Sequence, residues 1–266
     1  MKTPPRPRIL TLDIETAPLE SYHWGLWDQN IGLEQINVEW TILSVSAKWL
    51  DEKPVMFRHT GGRGKAKVRD DKELLRWLWT LLDKADIVVT QNGKAFDMRK
   101  INARMLMQGL DRPYSPVKII DTMIESRRHF DFTSNKLAWL SKHLTPAKKS
   151  EHKSFPGFEL WSECLKDNPK AWREMRKYNA LDVVATEQLY LKLRPWMVGH
   201  PNVAVYDHDS EKRQCPKCGS DRLQMRGYAH TQTGMYHRFQ CWGCGGYSRT
   251  RYTLNSIDKR KALLSN

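Results

Sequence analysis

Three things are scarce in this sequence, and each scarcity excludes something. No stretch of about 18 apolar residues occurs, so no segment reads as a helix able to cross a bilayer. The opening MKTPPRPRIL lacks the apolar core of a signal peptide, so the expectation is an intracellular, cytoplasmic chain with no membrane partner. Cysteine is limited to five, four of them in two close pairs and Cys164 alone. In an unsecreted chain, paired cysteines point to metal ligands before disulfides. Acid is the third scarcity, since 30 Asp and Glu face 44 Lys and Arg and leave a formal charge of +14. The usual use of such an excess is to hold a polyanion, nucleic acid above all; the plain alternative is solubility. No internal repeat and no low-complexity segment is found.

What remains is a folding sequence. With 266 residues, 40% of them hydrophobic and 10% aromatic, the chain can bury one full-size domain and a small second one. TLDIET reads as the end of a buried strand. WTILSVSAKWL and PVMFRH read as two more strands, rich in β-branched and aromatic residues. Between them and the first strand, residues 18–40 form a Trp-rich connection placed to cover one edge of a site. GGRGKAKVRD has no Ser or Thr after Lys65 and so is not a P-loop; it either brushes a phosphate backbone or is a solvated turn. DDKELLRWLWTLLDKA has helical spacing, with acid at its start where the helix dipole favours it. DIVVT then gives a strand, QNGKAFDMRKINARMLMQG a turn and a helix stopped by Gly109, and VKIID another strand, with several helices between residues 122 and 193. Strands followed by strand and helix alternation predict an α/β domain with a mixed sheet flanked by helices. Its expected extent is residues 1–200, followed by a linker over 201–212, a cysteine module over 213–250 and a basic tail, 251–266, without clear structure. Residues 201–266 carry 11 Lys and Arg against 5 Asp and Glu, net +6 of the total +14, so positive charge is denser there.

The acids of TLDIET raise the functional question. Residues two apart on a strand point the same way, so Asp13 and Glu15 face one spot, a costly arrangement unless a cation lies between them. Asp97 sits after the strand DIVVT, in the first turn of the next helix. Asp182 lies mid-helix in YNALDVVATEQLY, with Tyr178 four residues earlier on the same face. Any one of these alone suits a surface or cap role. A fifth acid, Asp121 of IIDT, reads as a helix cap.

Taken in order, a strand-borne Asp-x-Glu, then Asn-x-x-x-Phe-Asp, then Tyr-x-x-x-Asp resemble the three motifs of the DEDD superfamily of ribonuclease H-like 3′–5′ exonucleases, over about residues 8–193. Lys177 stands where the histidine subgroup would need His. The chain is therefore most similar to the tyrosine subgroup, which includes proofreading domains of family B DNA polymerases. The resemblance implies a ribonuclease H-like fold. It also implies that two Mg²⁺ or Mn²⁺ ions are held by Asp13, Glu15, Asp97 and Asp182, Asp13 bridging both. Tyr178 would orient the attacking water, a phenol being too weak an acid near neutral pH to serve alone as base unless its pKa is strongly lowered. Thr16 would meet the terminal nucleotide through its backbone. Asn92 is either a substrate contact or a turn residue, and Phe96, although it matches the motif, reads as core. Hydrolysis of a phosphodiester by two divalent ions fits hard oxygen ligands of this kind.

Cys215 and Cys218, then Cys241 and Cys244, form two C-x-x-C knuckles able to complete a tetrahedral shell for one structural Zn²⁺. The alternation in GMYHRFQC predicts a hairpin between them, so the module resembles a small β zinc ribbon. Arg222, Arg226, His237, Arg238 and Arg249 interleave with Tyr228, Tyr236, Phe239, Trp242 and Tyr247. That mixture suits nucleic acid, with Arg226 and Arg238 as candidate contacts, or else the aromatics pack the ribbon's small core.

Together these readings predict a metal-dependent 3′–5′ exonuclease that acts on single-stranded 3′ ends of DNA or RNA and releases nucleoside 5′-monophosphates. Its ribbon would aid substrate binding. It is expected to be monomeric, and to work in trans with replication or repair proteins if it proofreads. The alternatives are a ribonuclease H-like endonuclease and a non-catalytic nucleic-acid adaptor.

Overall fold

The computed structural model describes residues 6–147 and 152–265. Most of the proline-rich start on which the absence of a leader was read, and the last residue of the basic tail, lie outside the described residues. The chain forms two compact units, the larger Arg8–Tyr190 and the smaller beginning at Leu191.

In the larger unit the elements run β1 Ile9–Ala17, β2 Glu20–Ser21, β3 Ile36–Val38, β4 Thr41–Trp49, β5 Met56–His59, α1 Lys72–Leu82, β6 Ile87–Thr90, α2 Asp97–Met107, β7 Lys118–Asp121, α3 Thr122–His129, α4 Leu137–Leu144, α5 Glu159–Leu165 and α6 Pro169–Leu193, the last of which runs on past Tyr190. Five strands make one mixed sheet in the order β5-β4-β1-β6-β7. β4 is antiparallel to β1 and β5, while β6 is parallel to β1 and β7. The expected α/β architecture is the observed one.

β1 takes the centre because its residues suit a strand covered on both faces. Ile9 to Leu12 are all buried. Leu10, Leu12 and Ile14 join a core with Leu74, Leu75 and Leu78 of α1 and Met98 and Ile101 of α2. A second cluster unites Ala17 and Leu43 with Leu160 of α5 and Trp172, Met175 and Tyr178 of α6. Asp13 and Glu15 alternate with Leu12 and Ile14, so they project away from α1 and α2. Just after Glu15 the β1–β4 pairing slips by a residue: Glu15 opposes Ser44, but Thr16 opposes Ile42.

Helix ends follow local chemistry, and one acid at a helix start has a second task. Asp71 stands before α1, yet its carboxylate does not cap the helix. It is fully buried, forms a two-pronged ion pair with Arg104 of α2, and accepts the Ile42 N–H of β4 at 3.0 Å. One carboxylate thus ties two helices to the sheet. Gly109 ends α2 as expected, at φ +70, with Leu110 donating back to the Met105 carbonyl at 2.8 Å. α6 begins with Pro169 in its first turn, while the Asn168 side chain accepts the Lys170 N–H at 2.9 Å.

Two loops carry contacts that their sequence does not announce. The Gly62 and Gly64 N–H groups of the basic loop donate to the two carboxylate oxygens of Asp167, at 2.7 and 2.8 Å. Those amides are therefore occupied, while the side chains of Arg63, Lys65 and Lys67 remain exposed. The Trp-rich connection is rooted by the β2–β3 pair, and Arg69 donates to the carbonyls of Pro18 and Glu39 at its two ends. Trp24 is fully exposed and Trp27 nearly so, whereas Trp40 packs against the core and the Pro18–Ser21 stretch lines a cleft with Phe158 and Ser162.

In the smaller unit, β8 Leu223–His230, β9 Met235–Cys241 and β10 Tyr247–Arg249 form an antiparallel sheet in the order β10-β9-β8, one strand more than the expected hairpin. The segment read as a linker holds a helical turn, Val203–Tyr206, in which Val203 is buried and donates its N–H to the Pro216 carbonyl at 2.8 Å. The tail is not structureless: Ser256 accepts the Lys259 N–H and caps a short helix, α7 Ile257–Ala262.

Candidate active site

The sheet brings the opening acids to α6. Asp13, Glu15 and Asp182 each offer a carboxylate oxygen, and these oxygens lie within 4.8 Å of one another. Asp182 is 2% exposed. Three negative groups at that spacing repel one another in a half-dry environment. Their all-oxygen donor set is the kind that hard divalent cations neutralise. The residues present therefore fit a divalent ion site.

Asp97 stands outside that group of three but touches the same strand. It opens α2, is buried, and its Oδ1 accepts the N–H of Ile14, the residue between Asp13 and Glu15, at 3.1 Å. Burial pushes its carboxyl up to about 7, opposed by the hydrogen bonds from Ile14 and from its own backbone and aided by the charge of Asp121. Asp121 itself caps α3 as expected, accepting from Met123 and Ile124, and also takes the Asn92 and Lys94 N–H groups at 2.9 and 3.0 Å. It thus anchors the turn that delivers Asp97.

Asn92 lies in the left-handed region at φ 65, where asparagine is tolerated better than most side chains, so its turn role is plain. Phe96 is not core. Its ring is 38% exposed, with the Lys100 ammonium 5.3 Å from its centroid, because it falls on the open side of the turn entering α2. Thr16 is half-buried at the register slip.

Tyr178, one turn before Asp182, is 8% exposed. Its ring meets Trp161 of α5 edge-on at 5.9 Å and His152 at 5.0 Å. Two further residues, neither singled out by the sequence reading, touch the acids, and a third supports one of them. Trp161 Nε1 donates to Glu15 Oε2 at 3.2 Å. Asn179 Nδ2 donates to Asp13 Oδ2 at 2.5 Å, and Ser44 of β4 donates to Asn179 Oδ1 at 3.3 Å. A nearly buried ion pair between Lys48 of β4 and Glu187 of α6, at 2.7 Å, seats the helix further along.

The cysteines form a second centre. All four Sγ atoms lie within 4.8 Å of one another, with Cys215 to Cys244 at 3.7 Å and Cys218 to Cys241 at 3.6 Å. A tetrahedral Zn–S shell with bonds of about 2.3 Å has sulfur edges of about 3.8 Å, so the cluster fits that ion. Cys215 and Cys218 are split, chiefly through their mutual hydrogen bond: Cys215 is pushed up and Cys218 drawn down to about 5. Arg226 and Arg238 are both exposed, and Arg238 Nε donates to the Arg226 carbonyl at 2.8 Å.

Comparison with known proteins places the larger unit. A family model described as RNase_H_2, of the RNase_H superfamily, matches residues 10–194. A solved family B DNA polymerase from the hyperthermophilic archaeon Pyrobaculum calidifontis aligns over 74% of this chain at 18% identity, with a TM-score of 0.51. That likeness is one of fold, and the chain covers 26% of the polymerase's length. No curated protein matches the chain.

Proposed function

The chain belongs to the RNase H superfamily, and from that premise we propose that it is a metal-dependent 3′–5′ exonuclease of the tyrosine type. Superfamily members are generally nucleases, so nucleic acid is the substrate class; the polarity, the stepwise action and the two-ion chemistry are the proposal. The observation that carries it is the meeting of Asp13, Glu15 and Asp182, from a strand and a helix far apart in sequence, within 4.8 Å, with Tyr178 one turn from Asp182.

When bound, a pair of Mg²⁺ or Mn²⁺ ions supplies an activated water and neutralises charge developing on the phosphate oxygens. Asp13, Glu15 and Asp182 would hold them. Asp97, its Oδ1 engaged by Ile14, would contribute through water. Asn179 and Trp161 fix the Asp13 and Glu15 carboxylates by donating to one oxygen of each, which limits the rotations available to them. The Tyr178 hydroxyl would orient the attacking water, its ring held by Trp161 and His152. Thr16, Asn92 and Phe96 would contact the terminal nucleotides, the exposed Phe96 ring offering a stacking face. The four cysteines would hold one structural Zn²⁺, and the ribbon so formed would help hold the substrate. Lone action as a monomer on unpaired 3′ ends inside the cell, with replication or repair proteins in trans, completes the reading.

A 5′-labelled oligonucleotide incubated with Mg²⁺ or Mn²⁺ tests it. A ladder shortening one nucleotide at a time from the 3′ end is expected. Internal cuts would make the chain an endonuclease, and binding without cleavage would make it an adaptor.

A further inference from the structure

The ribbon's sheet separates its aromatic and basic residues in a way the sequence alone leaves open. In β9, alternation puts His237 and Phe239 on one face and Tyr236, Arg238 and Gln240 on the other. Register then adds β10: Ser248 opposes Phe239, whereas Tyr247 opposes Gln240 and Arg249 opposes Arg238. The first face is recessed: His237 and Phe239 line a cleft of about 540 Å³ together with Arg213, Arg251 and Tyr252, and Arg249 reaches its rim from the neighbouring strand. The second face is open. On it the Arg249 guanidinium lies over the Tyr236 ring at 3.9 Å and Arg238 lies 5.8 Å from the centroid of Tyr247. Tyr247 is 52% exposed, and Trp242, just beyond the end of β9, is 67% exposed.

Charge argues for one occupant. From Arg222 to Ile257 there is no Asp or Glu, and all five cations are Arg, with no Lys. A guanidinium both grips phosphate by two donors and stacks as a flat cation on rings and bases; an ammonium does only the first, and as a point charge. Exposed rings alternating with guanidinium groups on a bare sheet match unpaired bases with their phosphates, because a duplex keeps its base faces stacked inside. A protein partner would call for an apolar centre, and beside Tyr236, Arg238, Gln240, Tyr247 and Arg249 the register of β8 adds to this face only Gln224 and the single methyl of Ala229.

We propose that this open face, formed by Tyr236, Arg238, Tyr247 and Arg249, binds single-stranded nucleic acid by stacking, without reading its sequence. The proposal deepens the substrate-holding role given to the ribbon above, but its test does not depend on cleavage. Binding of labelled oligo-dT and oligo-U to the full-length protein is measured by fluorescence anisotropy without added divalent cation, beside a blunt duplex. Four proteins are compared: wild type, Tyr247→Ala, the charge-conserving pair Arg238→Lys with Arg249→Lys, and Asp258→Asn as a control away from the face. Zinc content measured on each reports that the ribbon is intact.

Single strands are expected to bind more tightly than duplex. Tyr247→Ala and the Lys pair should each weaken binding about tenfold, roughly one stacked base, with full zinc content and, for the Lys pair, an unchanged salt dependence. Equal affinity for duplex, or Lys variants that bind as well as wild type, would overturn the stacking face and leave only a basic surface. Failure of the ladder assay with these results intact would remove the exonuclease reading and not this one.

Discussion

The two units bring their candidate metal ligands together by opposite means. In Arg8–Tyr190 the carboxylates are mounted on a core that is complete without them: Leu10, Leu12, Ile42 and Leu75 are fully buried, and Asp71 with Arg104 locks α1, α2 and β4 around it. The ribbon has no such core. Across its three strands Cys241 alone is buried, so on the proposed reading four metal-bound sulfurs take the place that more than thirty buried apolar side chains fill in the larger unit. On the reading proposed above, a cation serves as a reagent in one unit and as a structural element in the other, so its removal should read out differently in each.

The largest expected effect follows from that difference. A structural Zn²⁺ contributes on the order of 10 kcal/mol to folding in small domains, so Cys218→Ser or strong chelation should unfold the ribbon while the larger unit keeps one cooperative melt. Hydrogen exchange resolved by segment would show protection lost over β8–β10 and kept over β1 and β6. The reciprocal variant is Leu12→Ala, expected to cost about 2–5 kcal/mol without releasing zinc. A ribbon still protected after its metal is stripped would break the contrast.

Next comes Asp182→Asn, which removes one of three convergent carboxylates and leaves the core untouched. Cleavage should fall at least about a thousandfold, comparable with loss of a major transition-state electrostatic group, at a melting temperature no lower than wild type. A loss of the same size in melting temperature as in Leu12→Ala would mean that Asp182 supports the fold instead.

Asn179→Ala should act more weakly, about 10- to 100-fold, as partners of metal ligands do. Activity should be recovered in part by raising Mg²⁺ or Mn²⁺, since the loss is in how Asp13 is held. Trp161→Phe, which removes only the donor to Glu15, is expected to cost less. A deficit in either that no cation concentration relieves would argue against a positioning role.

The smallest effect concerns pH and the metal-free protein. The folded-state carboxyl of Asp97 is raised to about 7 from 3.8, so the folded chain keeps a proton that the unfolded chain has released. Below about pH 4 both states are protonated and the group has no effect on stability. As pH climbs toward 7 it increasingly disfavours folding, and above 7 the penalty, at most a few kcal/mol, is complete. Asp97→Asn should therefore raise metal-free stability at pH 8 and leave it unchanged at pH 4, as read by denaturant titration at both values. Equal effects at the two pH values would contradict the assigned burial cost.

What could be read in advance was whatever repeats within a few residues. Period-two alternation put Asp13 and Glu15 on one face, helical spacing set Tyr178 above Asp182, and C-x-x-C spacing marked the knuckles. The order of the three acid motifs supplied the rest, by resemblance. What escaped depends on partners far along the chain. Asn179 meets Asp13 across 166 residues and Trp161 meets Glu15 across 146, and no local period announces an Asn on a helix or a Trp beside it. Asp167 closing the glycine amides was invisible for the same reason. Phe96 was misread because a motif aromatic beside a strand resembles core until the turn is built. The short tail helix did carry a signal: Ser256 followed by Asp258, then Lys259 to Lys261, has the polarity of a capped helix.

The central claim is that acids from separate segments share one cation site that drives hydrolysis, and the most direct measurement is cleavage of a 5′-labelled single strand by wild type and Asp13→Ala across a Mg²⁺ and Mn²⁺ titration. Wild type should give a cation-dependent ladder shortening from the 3′ end, while Asp13→Ala, equally well folded, should leave the strand whole at every concentration. Cleavage by Asp13→Ala at the wild-type rate, or a wild-type protein indifferent to both cations, would contradict it.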